Sequence, residues 1–82
     1  MIRAKVYVTL KREVLDPQGE TVKGALETLG FAGLKDVRIG KFMVITLNDA
    51  SREEAARRVE EMCRRLLANP VIEDYRFELE EG

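Results

Sequence analysis

From Ile2 to Lys11 hydrophobic and polar residues alternate without a break. Ile2, Ala4, Val6, Val8 and Leu10 fall on one side, and Arg3, Lys5, Tyr7, Thr9 and Lys11 on the other. That period of two is the pattern of a half-buried strand. The spacing then changes. Asp16 stands as an N-cap with Pro17 at the first helical position, where a missing N–H removes nothing the helix needs. Val22, Ala25, Leu26 and Leu29 follow at i, i+3, i+4 and i+7, one stripe of a helix that Gly30 closes in the left-handed C′ position. Beyond the loop Phe31–Lys35, the segment Val37-Arg38-Ile39, Gly40-Lys41 and Phe42 through Leu47 reads as two short strands meeting at Gly40. It reads equally as one long strand bent by a glycine bulge.

Ser51-Arg52-Glu53-Glu54 is a capping box, in which the serine hydroxyl takes the N3 amide and Glu54 reaches back. Ala55, Val59, Met62, Cys63 and Leu66 make the apolar stripe of the helix that follows. Arg52, Arg57, Arg58, Glu60, Glu61, Arg64 and Arg65 make its outer face. Asn69 is placed to cap that helix in the left-handed conformation, and Pro70 forbids continuation. A last strand, Val71–Leu79, turns Tyr75, Phe77 and Leu79 inward and Asp74, Arg76 and Glu78 outward. The order is β-α-β-β-α-β, or β-α-β-α-β if the middle strand is continuous. It predicts a single α+β domain: a two-layer sandwich of a mostly antiparallel sheet with two helices on one face. The strand Phe42–Leu47 is apolar on both sides, since Phe42, Val44 and Thr46 back Met43, Ile45 and Leu47. Two helices cover only one side, so the other, with Tyr7 and Val44 on it, is expected to pack against a second copy of the chain.

Size gives self-association further reason. A chain of 82 residues is one domain, and buries only roughly 60–65% of the surface its unfolded form exposes. Cys63 is the single cysteine and there is no histidine, so neither an internal disulfide nor a zinc site can supplement the core. The N-terminal stretch lacks the apolar run of a signal peptide or membrane span, and with one thiol the expected location is cytoplasmic. The net charge of −1, with both signs interspersed, gives no field for nucleic acid.

Catalytic material is scarce. Ser51 is the sole serine and caps a helix, while Cys63 sits on an apolar stripe where a free thiol behaves as a small hydrophobe. The carboxylates of the second helix are interleaved with arginines as a solvated, ion-paired face. Gly40-Lys41 lacks the glycine-rich loop and helix of a phosphate cradle. An RNA-recognition reading of the element order fails for want of paired aromatics and a basic surface. Gly19, in the first turn of a helix, costs about 1 kcal/mol against alanine. Close approach by a partner backbone is one reason for it, a loosely formed helix start another, and Gln18 beside it is placed for a cross-chain hydrogen bond. On the partner reading, alanine at both Gln18 and Gly19 leaves folding intact and weakens assembly.

Taken together, Val6-Tyr7-Val8-Thr9-Leu10-Lys11, Val14-Leu15-Asp16-Pro17-Gln18-Gly19, Ala25-Leu26, Leu29-Gly30-Phe31, Val37-Arg38-Ile39-Gly40-Lys41 and Leu66 through Tyr75 resemble, in order and spacing, the PurS family. These are the small subunits of phosphoribosylformylglycinamidine (FGAM) synthase. The resemblance implies an accessory role in purine biosynthesis without catalysis of its own: bridging a glutaminase subunit and a large ATP-dependent synthase subunit, and aiding ammonia transfer between them. It implies a homodimer or homotetramer, and no cofactor on this chain, the complex using ATP and Mg. Asp16, Pro17, Gln18, Gly19, Gly40, Lys41, Asn69, Pro70 and Tyr75 are the expected structural or interface positions. The alternative is a small dimeric ligand-sensing domain of ferredoxin-like type, which a ligand-dependent rise in melting temperature would reveal.

Overall fold

The strand that alternates most strictly is the centre of the molecule. In the computed structural model, which describes residues 1–48 and 51–81, β1 (Ile2–Leu10) lies between β2 (Gly40–Leu47) and β3 (Glu73–Glu81). Both pairings are antiparallel, giving a three-stranded sheet of order β2-β1-β3. The register sets Ile2 opposite Leu47 and Glu81 at one end, and Thr9 opposite Gly40 and Asp74 at the other. A central strand hydrogen-bonded on both edges suits small β-branched residues, and Val6 and Val8 are fully buried.

The α+β class and the antiparallel sheet are as expected. The middle segment resolves to a single strand, and it starts at Gly40: residues 37–39 are irregular. The last strand starts at Glu73, because the Ile72 and Glu73 amides both donate to the Asn69 carbonyl and hold Pro70–Ile72 in a turn. Asn69 does not take the left-handed conformation expected of it, since among the described residues every positive φ lies at a glycine. Its side-chain oxygen instead accepts from the Val71 amide at 3.0 Å, an Asx turn that serves the same purpose.

α2 (Arg52–Met62) starts where Ser51 Oγ accepts from the Glu54 amide at 3.0 Å. The reciprocal half of the capping box is not formed, as the Glu54 carboxylate turns to Arg57 at 2.6 Å. Ala55, Val59 and Cys63 press onto Ile2, Ala4, Val6 and Val8. The helix then widens into a π turn, Cys63–Leu67, closed by the Ala68 amide on the Cys63 carbonyl at 3.0 Å. This inserts one residue into the helical register. Leu66, expected on the buried stripe, is thereby rotated outward and is 83% exposed, while Leu67 and Ala68 take the core positions.

α1 (Pro17–Thr28) departs furthest from a two-layer picture. It is well formed, and its end is a Schellman motif: the Phe31 amide donates to the Leu26 carbonyl and the Gly30 amide to that of Glu27, with Gly30 at φ 100°. Yet Gly19 is the only buried residue in it, and Leu29 on its apolar stripe is 75% exposed. Of the two helices, α2 covers the sheet, while α1 is held at its first turn against residues 37–39 just before β2. The molecule measures 49 × 28 × 15 Å with a radius of gyration of 16.2 Å, against about 12 Å for a compact chain of this length.

The π turn makes a direct prediction. Leu67→Ala should cost roughly 1–2 kcal/mol in urea unfolding, whereas Leu66→Ala should stay within about 0.5 kcal/mol. A regular α-helix through this segment would give the opposite order.

Candidate functional site

Three of the motifs singled out in the sequence meet at one end of the sheet. The carboxylate of Asp16 links two of them. One oxygen accepts from the Gly19 amide at 3.0 Å, the N-cap bond expected of it, and the other accepts from the Ile39 amide at 2.8 Å. Asp16 is 4% exposed and is the one buried charged residue among the described residues. The Ile39 amide above all, then that of Gly19, hold its pKa below the ordinary carboxylate value.

The clamp explains the glycine behind it. A Cβ on Gly19 would overlap the Val37 carbonyl oxygen and lie 2.9 Å from Asp16 Oδ2. Close backbone approach is the reason for this glycine, but the approaching backbone belongs to the chain itself. Alanine at Gly19, expected to be harmless to folding, therefore strains the fold. Gly40 is required in the same way, because a Cβ there would overlap the Val8 carbonyl across the β1–β2 pair.

Lys41, next along β2, reaches Glu73 at the start of β3, with Nζ 3.6 Å from Oε2. The other oxygen of Glu73 accepts from the Asn69 amide at 2.7 Å. Glu73 is thus the residue that joins the Gly40-Lys41 and Asn69-Pro70 motifs. Nothing in the spacing singles it out, since only the antiparallel order brings the starts of β2 and β3 together. Asp16, Gln18, Gly40, Lys41 and Glu73 line a shallow depression of about 200 Å³ between these elements. Pro17 occupies the first position of α1 as expected, and Gln18 beside it is exposed. Tyr75 stands apart from the group. It faces α2, and its hydroxyl donates to Glu60 at 2.7 Å, an interaction that raises its pKa.

Burial pushes the Cys63 thiol pKa up, so it remains protonated and unreactive. Among the described residues no three metal-ligating side chains cluster, and no helix is long and apolar enough to cross a membrane. The outer sheet face carries Tyr7, Phe42 and Val44, with Tyr7 and Phe42 ring centroids 5.0 Å apart and the Arg76 guanidinium 3.9 Å above the Tyr7 ring. Phe42 and Val44 are more than half exposed. Apolar surface thus remains open on this face and along α1, a distribution typical of interaction sites.

A small α+β chain with a clamped, projecting helix and uncovered apolar faces belongs to the class of binding subunits. Comparison with known proteins makes the class specific. The family model described as "PurS: Phosphoribosylformylglycinamidine (FGAM) synthase" matches residues 3–81, and the chain belongs to that family. The phosphoribosylformylglycinamidine synthase subunit PurS of Bacillus subtilis is 52% identical over 99% of this chain and 95% of its own. That of Methanocaldococcus jannaschii is 44% identical over 98% and 96%. The solved M. jannaschii PurS superposes with a TM-score of 0.89, covering 100% of this chain and 99% of that one at 43% identity. A chain in the structure of PurLQS from Thermotoga maritima superposes with a TM-score of 0.86 at 30% identity, covering 98% and 99%.

Two predictions test the clamp. Because folding lowers the Asp16 pKa, its contribution to stability is complete above the ordinary carboxylate pKa of about 4 and is lost as pH falls through the depressed value. The stability gap between the wild type and Asp16→Ala should therefore be constant near neutral pH and shrink below about pH 4 in urea titrations. Gly19→Ala should lower stability by roughly 1–3 kcal/mol. An unchanged unfolding midpoint would show that Val37 does not press on this turn.

Proposed function

We propose that this chain is the non-catalytic accessory subunit of an FGAM synthase complex, joining a glutaminase subunit to the large ATP-dependent synthase subunit and aiding passage of ammonia between them. The observation that carries the reading is its likeness, over nearly the whole chain, to the PurS subunits and to a chain of PurLQS. The residues agree with it. The single thiol is buried with a raised pKa, and Asp16, the one buried carboxylate among the described residues, is spent on two backbone amides. What the chain offers a partner is surface. Sheltered transfer has a chemical reason: ammonia released into water is largely protonated at neutral pH, and ammonium has no lone pair with which to attack an activated amide.

Self-association is part of the proposal. The stripe of α1 carries Val22, Leu26 and Leu29, of which Val22 and Leu29 are exposed. On the sheet, α2 leaves Met43 and Ile45 of β2 only half-buried. A homodimer or homotetramer supplies cover for these surfaces.

With purified glutaminase and large synthase subunits, glutamine-driven turnover should require this chain, and high ammonium should largely restore turnover in its absence. Equal glutamine-driven rates with and without it would overturn the accessory role. Light scattering at micromolar concentration should give a mass of two or four chains, and a monomer would contradict the self-association.

A further inference from the structure

The end of α2 departs from a regular helix in a way that packing on the sheet does not require. Leu66 and Leu67 stand three and four residues beyond Cys63, so a continuous α-helix would carry both on the side that Ala55, Val59 and Cys63 turn to the sheet. The π turn Cys63–Leu67 separates them: Leu67 packs against the core, and Leu66 is 83% exposed. π turns are rare in helices and recur at functional sites. Five residues on, Val71 is 80% exposed, yet its backbone is fixed. Its amide donates to the Asn69 side chain at 3.0 Å, and the Ile72 and Glu73 amides close the turn on the Asn69 carbonyl. No large hydrophobic residue among the described residues is more exposed than these two. One leucine alone on a surface is ordinary. Two aliphatic side chains held outward on fixed backbone, at the end of one helix, are anchors positioned before any partner arrives.

Charge at the same place is one-sided. Arg64 lies 2.6 Å from one carboxylate oxygen of Glu61 and Arg65 3.8 Å from the other, so two guanidiniums share a single acid. Nearer the start of α2, Arg52 and Arg57 have acids of their own, Glu81 and Glu54. Residues 66–72 carry no charge at all. The corner made by the π turn and the turn after it is therefore apolar, with a surplus positive charge beside it. From this we infer that the corner docks on a different protein, at an apolar hollow rimmed by carboxylates, with Leu66 as the central anchor. A second copy of this chain does not fit, because a two-fold contact sets the same patch against itself and would oppose the arginines of one copy to those of the other. The inference rests on the accessory role proposed above, and it names the part of the chain that meets an enzyme subunit.

The test is biolayer interferometry of the full chain against the purified glutaminase and large synthase subunits, singly and together, for the wild type, Leu66→Ser and Arg65→Glu. Both side chains are largely exposed, so both variants should keep the wild-type urea midpoint and the wild-type mass in light scattering. Leu66→Ser should raise the Kd for one of the enzyme subunits by roughly tenfold or more, as loss of a central anchor does. Arg65→Glu should raise the same Kd and flatten its dependence on salt. An unchanged Kd for both subunits in Leu66→Ser, with the wild type bound, would overturn the docking corner and leave the accessory role standing. A fall in the variants' own mass would also overturn it, since the corner would then join copies of this chain. If the wild type binds neither subunit, singly or together, the accessory role fails and this proposal with it.

Discussion

A single carboxylate decides where the first helix goes. Asp16 caps α1 through the Gly19 amide and, with its other oxygen, holds the Ile39 amide just before β2 begins. Both ends of the long β1–β2 connection are thereby tied to one side chain. The bonds are made almost wholly out of water, where an unmade hydrogen bond is costly and a made one is directional. The Val37 carbonyl then closes on Gly19 so tightly that no side chain fits. α1 owes its orientation to this clamp, because its own apolar stripe finds little to pack on within the chain.

The consequence is a small protein with its surfaces only partly used. Core packing concentrates on β1, where Ala4, Val6 and Val8 are fully covered by α2 and the π turn. Away from that line the exposed hydrophobics include Leu29 and Phe31 at the end of α1, Phe42 and Val44 on the outer sheet face, and Leu66 on the π turn. A chain of this size cannot leave so much uncovered without loss of stability, unless association covers it. That is the physical content of calling it a subunit, and it matches the family to which the chain belongs.

Much of this was legible in the residues, because local rules govern strands and caps. Alternation found β1 and its buried face, and the Asp16-Pro17, Gly30 and Ser51 signals found the helix boundaries. What escaped depended on non-local geometry or on a change of period. The π turn shifts register by one residue, so a 3.6-residue stripe placed Leu66 in the core when Leu67 belongs there. Gly19 could be read as a position vacated for a partner or as a loosely formed helix start, because the Val37 carbonyl comes from eighteen residues further along. Glu73 gains its role only when the strand order brings distant segments together. The packing of α1 was misjudged for another reason: an apolar stripe states that a helix face will be covered, but not by which chain.

The central claim is that Asp16 ties α1 to the start of β2, and hydrogen exchange in Asp16→Ala tests it most directly. If the clamp is as described, the Gly19 and Ile39 amides are protected in the wild type and lose protection together in the variant, while the β1 amides that pair with β3 keep theirs. Protection of Ile39 that survives removal of the carboxylate would contradict the account, and the orientation of α1 would need another cause.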